Sequence, residues 1–154
     1  MNSNEVLADF QILGSRVSKL YLDTRIIDEK GRADVSFDFD YDMDEVEEDG
    51  SRLQGILTFM VQVKAKVKNK ILFKIDLEIE GLFAGNPERL SREKFMEMLE
   101  MNGLVTLLHI SRSYLISVSA QSGINPPVQI PMVNVLKLRE MKAKSGGNKN
   151  RPEE

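Results

Sequence analysis

Three long stretches of this chain carry an apolar residue at every second position, the pattern of a β-strand with one buried and one wet face. They cover residues 34–42, 57–68 and 71–80. The turn at residues 68–70 is short enough to join the second and third stretches as a hairpin. Because the three strands follow one another directly, they predict an antiparallel meander that is wet on one face.

A further strand precedes the meander, and helix signals follow it. Phe10–Asp23 predicts a strand with an irregularity at Gly14-Ser15, where a bulge would bend the chain. After Pro87, Ser91 can cap a helix whose apolar stripe stops at Asn102-Gly103. Four strands followed by helices is the order of an α+β fold.

Residues 104–122 fit two patterns. Apolar residues alternate with serines as in a strand, and they also form a helical stripe. Their length favours a helix that ends at Gly123. A Pro-containing connection follows, so we expect one domain over residues 1–140 and a flexible polar tail over residues 141–154.

The composition is that of a soluble globular chain, with 42% hydrophobic residues, 29% charged residues and a net charge of −3. There is no cysteine, which excludes disulfides and thiolate metal sites and favours a reducing compartment. No secretory signal and no run of about 18 apolar residues is present. We therefore expect a cytoplasmic protein with no membrane insertion.

Motifs for catalysis, metal binding or nucleotide binding are missing. The acidic stretch 38–45 fails the calcium-loop pattern, because with Asp38 first Met43 stands where that loop needs glycine. His109 is the single histidine, and its apolar neighbours favour helix packing over catalysis. With no phosphate-binding glycine motif either, we expect no enzyme, no catalytic residue, no metal and no cofactor.

Charge is segregated along the strands. Residues 33–50 hold nine acids and no base, whereas residues 51–75 hold six bases and no acid. If these strands are neighbours, aspartates would lie opposite lysines and help to set the register. The lysine row has no interleaved aromatic residues, so it does not predict nucleic-acid binding.

Three segments in this order resemble the bacterial SecB-type export chaperones: EGLFAG at residues 80–85, NGLVTLLHISRSYLISVSAQSG at residues 102–123, and the Pro-containing stretch GINPPVQIPMVNV at residues 123–135. The resemblance extends over Phe10–Leu138. It implies a four-stranded antiparallel sheet with helices packed on one side, and a helix over residues 104–122. It also implies a homotetramer, built as a dimer of dimers with the long helices at its centre.

In function, the resemblance implies an ATP-independent holdase for non-native polypeptides, serving protein export or, in solitary members, protecting an antitoxin. Asp23 and Asp76 match by position acids that engage a SecA-type motor ATPase, but Lys19 replaces a third. A holdase must also expose apolar surface that its core does not use. Our candidate client-binding residues are Val35, Phe37, Phe39, Leu82 and Phe83. Our candidate oligomer-interface residues are Leu104, Leu107, Leu108, Ser111, Leu115 and Val118.

Other interpretations stay open from the sequence. Each candidate client-binding residue could instead belong to the ordinary core. The same sheet could curl around a pocket and bind a small hydrophobic ligand. A hydrolase would have to use His109.

Overall fold

A computed structural model describes residues 8–148 of the chain as an antiparallel sheet with two helices on one face. The strands are β1 (Phe10–Thr24), β2 (Asp34–Met43), β3 (Glu47–Glu48), β4 (Leu53–Val67) and β5 (Lys70–Gly85). The helices are α1 (Arg92–Gln121) and α2 (Val135–Asn148). The predicted α+β class is confirmed, with a fifth, two-residue strand in addition to the four expected.

The long strands lie in the order β1-β5-β4-β2, and β3 pairs with the start of β4. The predicted meander of β2, β4 and β5 is therefore confirmed, and β1 is added beside the last strand. Lys68 and Asn69 both have positive φ angles, of 50° and 67°. This conformation matches the twist of the two strands that a tight hairpin turn joins. β1 and β2 are the two edges of the sheet.

The register of β1 slips twice against β5, between Ile12 and Gly14 and between Val17 and Lys19. The first slip lies beside the predicted irregularity at Gly14-Ser15, and the second was not predicted. Between β2 and β4, the register places Asp34 opposite Lys66 but Asp38 opposite Gln62. The expected ladder of aspartates and lysines is thus wrong except at Asp34.

The core lies between the sheet and α1. It is formed by odd-numbered residues of β4 and β5, which the alternating pattern predicts to share one face. Each of them is at most 6% exposed. They are Leu57, Phe59, Val61, Val63, Ala65, Val67, Phe73, Ile75, Leu77 and Ile79. Burial of each large side chain contributes about 1.5–3 kcal/mol. The opposite face of the sheet carries the charged residues, and no helix of residues 8–148 covers it.

α1 is one continuous helix of 30 residues, so the predicted stop at Asn102-Gly103 is wrong. The expected N-cap is present, because the Lys94 amide donates to Ser91 Oγ at 3.1 Å. Gly103 lies where the helix packs closely on the sheet, because a Cβ atom there would be 2.9 Å from Leu57 Cδ2. The glycine permits close packing rather than ending the helix. The helix ends before Gly123, as predicted, where φ is +81°.

The helix stripe that we predicted as an oligomer interface packs against the sheet of the same chain. Leu104, Leu107, Leu108, Ser111 and Leu115 are at most 6% exposed, and Val118 is half-buried against the core. An amphipathic stripe shows that one helix face is covered, but not whether its own sheet or another chain covers it. The interface prediction for these residues is therefore corrected.

α2 continues through Met141, where the sequence predicts the polar tail to begin, and ends at Asn148. Its first turn is capped by Asn134, whose Oδ1 accepts from the Lys137 amide at 3.1 Å. Lys142 Nζ then lies 2.8 Å from Asp40 Oδ1 and 3.1 Å from Asp42 Oδ1 on β2. These contacts hold the helix against the sheet edge. Residues 149–154, the rest of the predicted tail, lie outside the described residues.

A buried tyrosine joins β2 to both helices. Tyr41 is 4% exposed, and its hydroxyl donates to Glu100 Oε1 at 3.1 Å. The guanidinium of Arg139 donates to the same carboxylate oxygen at 2.5 Å. Burial and the nearby negative charge of Glu100 raise the pKa of Tyr41 to about 12.

This raised pKa predicts a loss of stability in alkali. An unfolded tyrosine ionises near pH 10, so its protonated form stabilises the fold fully below pH 10, and this contribution disappears as pH rises through about 12. Tyr41→Phe should therefore reduce the fall in urea midpoint between pH 9.5 and pH 11.5. If the variant and the wild type fall equally, Tyr41 is not the group responsible.

Candidate functional site

An open groove of about 690 Å³ crosses the helix-side face of the sheet at the end where α1 stops. Its floor is formed by Val35 and Phe37 of β2 and by Leu72 and Phe73 of β5. Residues 24–26, at the end of β1, form one side, and residues 122–129, just after α1, form the other. The strands extend past the end of the helix, so this part of the apolar face is left without a helical cover.

The segment of residues 122–131, which includes this wall, is fixed to α1 by hydrogen bonds that involve two helix side chains. Ser119 is fully buried, and its Oγ accepts from the Val128 amide at 2.8 Å. Arg112 donates to the carbonyl oxygens of Ile130 and Pro131 at 3.0 and 3.1 Å. Val128 and Ile130 are themselves buried in the core. The groove therefore has a preformed wall.

The structure separates the predicted client-binding residues into three groups. Val35, 48% exposed, and Phe37, half-buried, line the groove. The Phe39 ring is stacked between the rings of Phe37 and Phe59, at centroid distances of 6.2 and 6.1 Å, and does not line the groove.

Leu82 and Phe83 lie at the far end of β5. Leu82 is half-buried on the open face of the sheet, where its register partners are Gly14 and Ile56. Phe83 is 1% exposed and stacks on Phe10 at 5.3 Å, so it belongs to the core. Neither residue is in the groove.

Sequence reasoning missed several residues of the groove. Ile26 is fully exposed at its rim, and Leu72 and Ile124 contribute apolar surface within it. The signal for Ile26 was two adjacent isoleucines in a charged loop, which no strand or helix pattern explains. Ser119 and Arg112 were missed because a serine or arginine in a helix gives no indication of a distant backbone partner.

Asp23 and Asp76, the predicted motor-docking acids, lie near each other on the open face of the sheet. Asp76 is the register partner of Tyr21, two residues from Asp23. Each acid already has a partner within the chain: Asp23 lies 3.3 Å from Arg25, and Asp76 accepts from Gln62 at 2.7 Å. Their role in docking stays a prediction.

Within residues 8–148, no group of acidic or histidine side chains is arranged to hold a metal ion. No helix in this described part is both long and apolar enough to cross a membrane.

No family model and no curated protein matches the sequence. Among solved structures, the fold is similar to that of the Mycobacterium tuberculosis SecB-like chaperone Rv1957, determined in complex with a ChAD peptide from the Rv1956 HigA1 antitoxin. The TM-score is 0.60 at 15% identity, over 82% of this chain and 91% of that one. A Streptococcus agalactiae protein of unknown function matches with a TM-score of 0.47 at 13% identity, over 80% and 97% of the two chains.

The first of these likenesses defines the fold. The chain has a SecB-like α+β fold, as its sequence segments predicted. At this identity the likeness concerns the fold alone.

Proposed function

We propose that this protein is an ATP-independent chaperone that holds non-native polypeptide segments in the groove at the end of α1. The observation that carries the proposal is the apolar surface left uncovered there, with Ile26 fully exposed and Val35 about half exposed. A contiguous apolar surface with polar surroundings is typical of a binding site. The SecB-like neighbour, whose structure holds an antitoxin peptide, supports this class of function.

The shape of the groove favours an extended peptide. β2 is an edge strand of the described sheet, so the outer side of its backbone is not paired with another strand. A peptide lying along Val35 and Phe37 could form backbone hydrogen bonds with this edge while its side chains enter the groove. Backbone bonding would tolerate many sequences, which a holdase requires.

One groove gives modest affinity. Each client side chain that is buried contributes about 1.5–3 kcal/mol, from which the cost of ordering the client is subtracted. Several grooves on one oligomer would bind a long client together through effective concentration.

The direct test uses an aggregation-prone protein, unfolded in guanidinium and diluted into buffer. An excess of this protein, without ATP, should suppress the rise in light scattering. Unchanged scattering at a molar excess would overturn the proposal. Binding of a fluorescent fatty acid in place of unfolded protein would favour a small-ligand carrier, which a groove of about 690 Å³ also fits.

We further propose that the chain forms a homo-oligomer, the predicted homotetramer, through the outer face of α1 and the edge strand β1. Residues 101–121 contain one charged group, Arg112, and no acid. Their outer face includes Val105 and Ile116, 40% and 37% exposed. A helix surface that carries so little charge and two partly exposed apolar side chains is suited to contact with another chain. These residues replace the buried stripe as the candidate interface.

β1 adds to this surface. Ile12, Val17 and Leu20 are 38–40% exposed on its helix side, and the outer edge of β1 is not paired with another described strand. An exposed edge of this length favours pairing with another chain.

The interface prediction is tested with charges. Val105→Asp together with Ile116→Asp should lower the molar mass in light scattering to that of a smaller assembly, because two carboxylates would be buried in an apolar contact. Leu136→Asp, at a 60% exposed site on α2, is the matched control and should leave the mass unchanged. An unchanged mass in the double variant would contradict this interface.

The cellular role depends on which partner the protein serves, and the neighbouring genes would indicate that partner. An adjacent toxin gene would favour protection of an antitoxin, and a translocase context would favour export.

We propose a cytoplasmic location and non-enzymatic action for either role. We propose that residues 1–140 form the folded domain. The turns of α2 that follow residue 140 extend from this domain.

A further inference from the structure

The groove wall that follows α1 is a short segment with no strand or helix of its own. Pro126 and Pro127 within it have no amide hydrogen to donate. Apart from Ile124 and Val128, the residues of the segment 123–129 are exposed. The position of this wall therefore depends on hydrogen bonds that reach it from α1.

Ser119, in the last turn of α1, holds the wall at two points. Its backbone carbonyl accepts from the Ile124 amide at 3.0 Å, and its Oγ accepts from the Val128 amide at 2.8 Å. The same hydroxyl donates to the Leu115 carbonyl at 2.5 Å, so its hydrogen is used and a lone pair is left for Val128. Both ends of the loop 124–128 are thus bound to one residue.

The hydrogen bond to Val128 lies in the interior of the protein. Ser119 is fully buried, and Val128 is 4% exposed. Without the hydroxyl, the Val128 amide would have no partner in a place that water does not reach, and this cost favours movement of the segment. Because Ile124 and Val128 both line the groove, such a movement changes the groove itself.

From this arrangement we infer that Ser119 is a positioning residue for client binding. It does not line the groove, and it raises client affinity by holding the wall in place. The inference rests on the proposed chaperone function and identifies a residue that determines its affinity. A preformed wall spares the client the cost of ordering the site, whereas a wall released from Ser119 is ordered anew by each client that binds.

Ser111 provides a matched control on the same helix, about two turns earlier. It is also fully buried, but its Oγ has no hydrogen-bond partner within residues 8–148. Ser111→Ala therefore removes a hydroxyl of equal burial without releasing the wall. Gly103→Ala is a second control, because it strains the contact of α1 with Leu57, which is outside the groove lining.

The test measures binding of a fluorescently labelled protein that is kept unfolded by reduction and carboxymethylation of its cysteines. Alanine is the best helix former, so both serine variants should fold. In fluorescence anisotropy, Ser119→Ala should raise the Kd about five- to tenfold, as the loss of one buried hydrogen bond allows. Ser111→Ala and Gly103→Ala should bind as the wild type does. Amide hydrogen exchange, followed by NMR, should accelerate more at Val128 than in β4 and β5 of the Ser119→Ala variant.

Three results would count against these proposals, and they can be told apart. Equal affinity of Ser119→Ala and Ser111→Ala would show that Ser119 does not position the site. Equal losses of affinity in Ser119→Ala and Gly103→Ala would assign the effect to stability and not to the wall. Both results overturn this inference and leave the chaperone proposal standing. If the wild type does not bind the unfolded protein, the chaperone proposal fails as well.

Discussion

Replacing Val35 and Phe37 together with serine is expected to weaken capture of unfolded clients by about 30-fold or more. The two side chains provide the apolar floor of the groove on β2. Serine at both positions removes two contacts for a client, each contributing up to about 1.5–3 kcal/mol when a side chain is fully buried. Partial exposure of both residues reduces this figure, so about 2 kcal/mol in total is our estimate. The amount of chaperone that halves client scattering measures the effect.

A loss of capture is informative only if the variant still folds. Val35 is 48% exposed and β2 is an edge strand, whereas Phe37 is half-buried against the core, so the double substitution should lower the urea midpoint without unfolding the protein. Met132→Ser is the control, because Met132 is 93% exposed and outside the groove lining. It should capture clients as the wild type does. Equal capture by all three proteins would place the client site elsewhere, and an unfolded double variant would assign these residues to the core.

Phe39 shows why the residues of one alternating strand differ in role. Its parity is that of Val35 and Phe37, and the sequence treats the three alike. In the structure, Phe39 is partly buried and stacks on the buried ring of Phe59, so it packs against the core and not in the groove. Alternation determines which face a residue lies on, and that was predicted correctly. Whether a helix covers a given residue on that face depends on where α1 ends, and the alternation within β2 does not indicate that position.

The same limit explains the corrected interface. The stripe from Leu104 to Leu115 is apolar, but Val105 and Ile116 on the other side of α1 are apolar too. Apolar residues on both sides of the helix leave its orientation on the sheet undecided by pattern alone. Only the complementary shape of the sheet decides which face packs inward.

The groove itself was partly predictable. Val35 and Phe37 follow from the strand pattern, whereas Ile26, Leu72 and Ile124 come from three segments distant in sequence. Their meeting requires the pairing of β1 with β5 and the return of the chain after Gly123. Local periodicity contains neither of these.

Gly103→Leu is expected to have the largest effect on stability. A side chain at this position would enter the space occupied by Leu57, which is fully buried, and would come within 3.6 Å of the Phe83 ring. Overpacking of a filled core costs about 3 kcal/mol when the backbone must move, and here α1 would have to shift away from β4. The urea midpoint should fall accordingly at fixed protein concentration.

Gly146→Ala separates this steric effect from helix propensity. Gly146 lies in α2 with no atom within 4 Å of the position a Cβ would take. Alanine there should stabilise the protein by about 0.5 kcal/mol, since glycine is a poor helix former. Gly103→Ala gains the same propensity but meets Leu57 Cδ2 at 2.9 Å, so its midpoint should lie below that of Gly146→Ala. Equal or higher stability of Gly103→Leu relative to the wild type would contradict the close approach of α1 to the sheet, because only that approach makes a glycine necessary within the helix.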